Sequence, residues 1–220
     1  MVVVTGDVVA SRRYLDTPGL LAGLDRALAA VEAAEPASQA LRRVERDVFR
    51  GSYPDVGTAA GAALRLRLGT DGLVLDTVQG EPEAVELRLG IGIGAVDVPR
   101  PTAADLAEAA LAEAEQLPIS RRWPTSLRSR CRAVDPLLEG AINAHLLLQD
   151  QLLARLDGRD RRALMGLLDG ERQVDVAAAL GVSQPAIARR IRVRGSLALH
   201  RALLELKGST RTAASGRHGL

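Results

Sequence analysis

The chain has 220 residues, 47% of them hydrophobic and 25% charged, with a single cysteine, which describes a globular protein with a real core and excludes an internal disulfide or a cysteine-rich metal site. Aromatic residues make up only 2%, so the core rests on Leu, Val, Ile and Ala, and base stacking has few rings to use beyond Tyr14, Phe49, Tyr53 and Trp123. The net charge of +2 hides an asymmetry: residues 1–150 carry 16 Arg against 21 acids, whereas residues 151–220 carry 13 Lys plus Arg against 6 acids, as expected if only the second part meets a polyanion.

Met1 to Val4 is an apolar run that ends at Thr5-Gly6-Asp7 and reads as a buried strand entering a turn. From Pro18 to about Ala34, Leu20, Leu21, Leu24, Leu28 and Val31 step by three and four and predict a helix. Leu41–Val48 and Val48–Tyr53 are expected as two strands with Asp47 near their junction. Asp55 then caps an Ala-rich helix that runs to about Leu68 and stops at Gly69-Thr70-Asp71-Gly72. Leu73–Val78 and Val85–Val96 are the next strands. In the second of them Val85, Leu87, Leu89, Ile91 and Ile93 share one face and Gly90, Gly92 and Gly94 the other, leaving room for a helix or ligand to approach. Thr102 caps a helix to about Leu117, with Asp105 completing a capping box.

Pro118 to Pro136 holds three prolines and reads as an Arg-rich connection, with Arg121, Arg122, Arg128, Arg130 and Arg132 as a solvated basic stretch around Trp123. Pro136 opens a long helix to Leu156, with Leu137, Ala141, Ala144, Leu148 and Leu152 as its apolar stripe. Residues from Ser209 onward have no periodicity and are expected to be disordered. Cys131 is expected to be an ordinary thiol, and His145, His200 and His218 lack metal-ligand spacing. No apolar stretch approaches a membrane span and no apolar leader opens the chain, so a cytoplasmic protein without a membrane partner is expected.

Residues 173–192 carry a more specific pattern. Val176 and Leu180 lie one helical turn apart, and Ala177 is small, as a close helix crossing requires. Gly181 suits a left-handed helix exit, Val182 fills the angle between helices, Ser183 caps the second helix and Pro185 sits in its first turn. Ile187 and Ile191 return to the core. No acid occurs from Ser183 to Leu204, so the exposed side offers Ser183, Gln184, Ala188, Arg189, Arg190, Arg192 and Arg194 as DNA-binding residues. The segment resembles the helix-turn-helix of bacterial regulators and of sigma-factor region 4.

Near the N-terminus, Gly6-Asp7-Val8-Val9-Ala10-Ser11, Asp47-Val48-Phe49-Arg50-Gly51 and Gly90-Ile91-Gly92-Ile93-Gly94 resemble the SatD family, over roughly residues 1–100. That family is similar to the palm of nucleotide and diguanylate cyclases. The resemblance implies that Asp7, at the end of the first strand, and Asp47, at a central hairpin, could hold Mg²⁺ against a nucleotide triphosphate. Where the family has Gly-Asp-Glu this chain has Arg46-Asp47-Val48, so a degenerate or regulatory palm is the expectation.

The sequence therefore predicts an α+β protein with a ferredoxin-like or palm-like, largely antiparallel sheet domain at 1–118, a connection at 119–135, an all-α helix-turn-helix domain at 136–208 and a tail at 209–220. The expected function is a transcription-regulating DNA-binding protein without a resident cofactor. It would act as a homodimer on double-stranded DNA, with a small molecule or nucleotide as a ligand of the first domain. The alternative is a metal-dependent nucleotidyl-transfer enzyme of cyclase-like palm with an accessory helical domain, for which Asp7 and Asp47 would be the Mg²⁺ ligands.

Overall fold

The computed structural model describes residues 1–70, 72–94 and 101–215. The first strand, β1 (Val2–Val8), is followed by a one-turn 3-10 segment at Ser11–Arg13 and by α1 (Thr17–Ala34). Then come β2 (Gln39–Glu45), β3 (Val48–Tyr53), α2 (Val56–Gly69), the short strands β4 (Val74–Asp76) and β5 (Pro82–Ala84), β6 (Leu87–Ile93) and α3 (Ala103–Gln116). The main sheet has the order β2-β3-β1-β6-β7, where β7 is Ser129–Ala133. All neighbours are antiparallel except β6 and β7, which run parallel. This is a mixed α/β architecture with a palm-like sheet. The expected extension of β6 to Val96 lies outside the described residues, as do Asp71 and His218.

Alternation along the strands gives the sheet two different faces. Val2, Val4, Phe49, Leu87, Leu89 and Ile91 face α1 and α2 and form the main core with Leu20, Leu24, Leu28, Val31, Ala59, Ala63 and Leu66. Val3 points the other way, onto Ala103 and Ala107 of α3. Gly90 and Gly92 explain how closely α3 lies: a Cβ on Gly90 would meet the backbone of Ala107 and Leu111, and one on Gly92 the backbone of Ala103 and Ala107. The glycine face expected to admit a helix does so.

Two expectations for residues 118–156 change. The expected connection contributes β7 to the sheet, and three of its five arginines are ion-paired: Arg128 to Glu86, Arg130 to Glu113, Arg132 to Glu113 and Glu139. The helix α4 (Pro136–Leu153) also turns a different side inward. Leu137 and Leu148 are exposed, whereas Ile142, Leu146, Gln149, Asp150 and Leu153 are buried. The reason is polar. Ser129 N donates to Asp150 Oδ2 at 2.7 Å, Cys131 N to Asn143 Oδ1 at 2.8 Å and Ala133 N to Glu139 Oε2 at 2.9 Å. One polar face of α4 thus satisfies the free edge of β7, which would otherwise expose its amides.

The remaining helices are α5 (Gly158–Leu168), α6 (Gln173–Ala179), α7 (Gln184–Val193) and α8 (Ser196–Ser215), so helix continues through the first part of the tail expected to be disordered. Val176, Ala177, Ile187 and Ile191 pack with Ala163, and Gly181 adopts φ 64°. These helices do not stand apart. Leu153, Leu156, Leu164, Leu199 and Leu203 share a core with Ala60, Leu64 and Leu68 of α2. Glu35, the C-cap of α1, pairs with Arg65 of α2 and with Lys207 of α8. No helix among the described residues is long and apolar enough to cross a membrane.

Asn143→Ala removes the partner of both the Cys131 N–H and its carbonyl, the latter accepting from Asn143 Nδ2 at 2.9 Å. A loss of about 1–3 kcal/mol is expected in urea unfolding, the range for orphaned polar groups; a change inside error would remove the edge-capping role. Burial pushes the pKa of His145 and of His200 below the ordinary imidazole value of 6.5. The unfolded chain then binds more protons near and below that value, so stability falls as pH drops through it. A His145→Gln, His200→Gln double variant is expected to flatten this acid-side slope in unfolding midpoints taken from about pH 7 to pH 5; an unchanged slope would assign it to other groups.

Candidate functional site

The end of β1 and the β2–β3 turn meet at an open cleft. The antiparallel register places Asp7 directly opposite Arg88 of β6. After Val8 the chain bends sharply: Ala10 takes φ 49°, the only positive φ at a non-glycine among the described residues. Such a conformation carries a steric cost for a residue with a Cβ. It delivers Ser11, Arg12 and Arg13 to the rim of a cavity of about 590 Å³, also lined by Asp7, Asp47, Arg88 and Glu115. A small recess beside it shares Ser11, Arg12 and Asp47 and adds Thr17, Leu20, Leu21 and Arg46.

The charges here divide into spent and unspent groups. Arg88 gives Nε to Asp7 Oδ1 at 3.0 Å and Nη2 to Oδ2 at 2.9 Å, and its Nη1 lies 2.7 Å from Glu115 Oε1. Arg13 pairs with Glu83 at 2.7 Å and lies over the Tyr14 ring. By contrast, the side chains of Arg12, Arg46 and Asp47 form no hydrogen bond or ion pair among the described residues; the arginines are exposed and Asp47 is half-buried. Burial raises the Asp7 pKa above the ordinary carboxylate value despite Arg88, and the nearby charges of Glu115 and Asp47 add to the rise.

Asp7 and Asp47, the two carboxylates suggested as Mg²⁺ ligands, thus line one open cavity. They do not fit a metal centre. Both Asp7 oxygens are held by a guanidinium, and no group of three or more His, Cys, Asp or Glu side chains among the described residues is arranged to hold a metal ion. The sequence reading missed Arg12, Arg46, Arg88 and Glu115 as members of this site. One signal was present: Arg88 is the sole charged residue in the apolar strand β6.

The residues expected to touch DNA lie on and before α7. Ser183 is its N-cap, accepting from Ala186 N at 3.4 Å; Gln184, Arg189 and Arg192 are exposed, and Ala188 is half-buried. Arg190 is engaged elsewhere: its Nε donates to Asp160 Oδ1 at 2.7 Å and its Nη2 to Asp157. Arg194 lies 3.9 Å from Asp160. Arg159, Arg189, Arg190 and Arg194 line a groove of about 420 Å³ floored by Val182, Ala186 and Val193. Local sequence without acids therefore hid acids supplied by α5. Cys131 is fully buried, and burial pushes its thiol up to about 12.

No protein-family model matches the chain, and no curated protein matches it. Solved structures do. The GGDEF domain of DgcB from Caulobacter crescentus, in complex with c-di-GMP, is 18% identical, with a TM-score of 0.40 over 60% of this chain and 76% of that one. The active GGEEF domain of a diguanylate cyclase from Vibrio cholerae is 16% identical, with a TM-score of 0.41 over 61% of this chain and 82% of that one. The GGDEF domain of FimX from Pseudomonas aeruginosa is 17% identical, with a TM-score of 0.34 over 51% and 72% of the two chains. The expected transcription regulator with a double-stranded DNA partner, and with it the pairing of two copies on an operator, is corrected by the face itself: Arg190 is tied to Asp157 and Asp160, and Arg194 lies 3.9 Å from Asp160. The three matched chains are GGDEF or GGEEF domains. The arginine face that motivated the DNA reading is partly neutralised by Asp157 and Asp160.

Arg190→Ala would leave the buried Asp160 carboxylate, 1% exposed, without its hydrogen-bonded guanidinium, Arg194 standing 3.9 Å away. A stability loss of about 1–3 kcal/mol is expected, because the orphaned charge stays desolvated. Arg189→Ala, which removes no internal contact, is expected to shift stability by less than about 0.5 kcal/mol. Equal effects of the two variants on thermal unfolding would contradict a structural role for Arg190.

Proposed function

We propose that this chain is a nucleotide-binding protein of palm architecture, working at the cleft between the end of β1 and the β2–β3 turn. The observation that carries the reading is the pair of unspent cations, Arg12 and Arg46, lining one recess with the unspent Asp47 carboxylate. Guanidinium groups recognise phosphate by charge-assisted, forked hydrogen bonds. A carboxylate that accepts only suits ribose hydroxyls or the N–H edge of a base. Leu20 and Leu21 supply an apolar wall beside them, and the cavity lies in the size range of small-molecule sites. Membership of the SatD family, and the treatment of the helices from Pro136 onward as an accessory unit, belong to the same proposal.

A second reading, metal-dependent nucleotidyl transfer, is favoured by one observation: Asp7 and Asp47 line the same cavity. The Arg88 clamp on Asp7 opposes it.

Calorimetric titration with ATP and with GTP tests both. Saturable binding of a nucleoside triphosphate is expected, weakened about tenfold or more by Arg12→Ala with Arg46→Ala, and reduced by Asp47→Asn. Absence of binding to either nucleotide would reject the proposal. Magnesium-dependent release of pyrophosphate, lost in Asp47→Asn, would establish the second reading in its place.

A further inference from the structure

We infer that Arg88 is a fixed internal cation that occupies the place of a divalent metal ion in the palm cleft, so that the cleft takes its ligand without metal. The inference deepens the nucleotide reading of the same cleft, yet it stands on the geometry of one side chain. Arg88 uses all three guanidinium nitrogens on carboxylates: two on Asp7 and one on Glu115. Its side chain is 15% exposed and that of Asp7 23%, so this pair is poorly screened by water, whereas Glu115 is 53% exposed.

The arrangement is built by the fold. Asp7 and Arg88 are cross-strand neighbours on one face of the antiparallel β1–β6 pair, where opposite charges reinforce strand pairing. Glu115 arrives on α3, which can lie this close because Gly90 and Gly92 of the same strand β6 have no side chains to hold it off. The strand that carries the cation therefore also makes the bed for the helix carrying its second anion.

Three properties of arginine make this a replacement for a metal ion and not an incidental ion pair. Its guanidinium does not lose its proton at any physiological pH, so the charge cannot be withdrawn to admit another cation. Its fork occupies both oxygens of Asp7, whereas Mg²⁺ asks for carboxylate oxygens in near-ideal octahedral geometry. A divalent ion entering beside Asp7 would also meet the Arg88 charge at close range in a half-buried site. The two carboxylates that a cyclase-like palm would present to metal are thereby separated in role: Asp7 is neutralised from within, and Asp47 alone stays open to ligand.

Binding of Mn²⁺ to the full chain, followed by the electron paramagnetic resonance signal of free ion, tests this without any nucleotide. The wild-type protein is expected to show no saturable Mn²⁺ binding below about 1 mM, near the weak limit for oxygen-ligand sites. Arg88→Met keeps the aliphatic bulk in the strand and is expected to gain a saturable site at least about tenfold tighter, as is Arg88→Ala; adding Asp7→Asn should abolish it. Saturable binding by the wild type that disappears in Asp7→Asn would overturn the inference. So would an Arg88→Met protein with native circular dichroism and no gain of Mn²⁺. In parallel, nucleotide affinity of the wild type is expected to be the same in EDTA and in Mg²⁺, and a tenfold gain with Mg²⁺ would also overturn it. Failure of every nucleotide to bind would reject the nucleotide reading, and the Mn²⁺ measurements would still decide the role of Arg88.

Discussion

The constraint on which the rest of this structure depends is the free edge of β7. A strand that ends a sheet leaves alternate amides without partners. Here Glu139, Asn143 and Asp150 of α4 take the amides of Ala133, Cys131 and Ser129 one after another along that edge. Asp150 is fully buried and also accepts from Arg67 of α2 at 2.9 Å and from the Arg128 amide at 2.7 Å. A buried ion pair is favourable only when its remaining lone pairs are satisfied, and Asp150 meets that condition. The sheet edge, the helix that closes it and the helix beneath the sheet are thus tied at one carboxylate.

From that tie the helical part acquires its position. α2 points Arg67 toward Asp150 and Arg65 the other way, into Glu35, Asp169 and the Leu168 carbonyl. Glu35 in turn holds Lys207 of α8, whose backbone runs against Gly57 with no room for a Cβ between them. Charged groups orient the helices, while leucines from α2, α4, α5 and α8 exclude water around them. The second half of the chain therefore shares a continuous core with the helix layer of the palm.

The palm was largely legible because its signals are local. The α1 stripe, the Thr102–Asp105 capping box and the glycine face of β6 are written in residues a few positions apart, and each lies where the periodicity put it. Two things were not legible. The buried face of α4 carries Gln149 and Asp150, so apolar periodicity selected the exposed Leu137 and Leu148 instead; only a partner 83 residues away, Arg67, makes Asp150 an interior residue. Likewise, the acid-free run from Ser183 to Leu204 looked like a free cationic face, but Asp157 and Asp160 reach Arg190 from α5. Hydrophobic pattern reports burial of apolar groups; it is silent on polar groups drawn inward by a distant charge.

The same limit applies at the cleft. Asp7 and Asp47 were recognisable as a pair only through the resemblance to the SatD family and cyclase palms. Their difference in state was not, because it is set by Arg88, 81 positions from Asp7. Asp7 and Asp47 line one cavity, and like charges so placed must be balanced by something. A divalent ion balances them only while bound, whereas an arginine in the neighbouring strand balances one of them permanently. Once Arg88 stands opposite Asp7, the sheet no longer needs an ion to be electrostatically sound at this end. Among the described residues, Arg12, Arg46 and Asp47 stay without partners at the same cleft. In that sense the cation sits inside the architecture, and the groups left open lie just after the first strand and at the turn beside it.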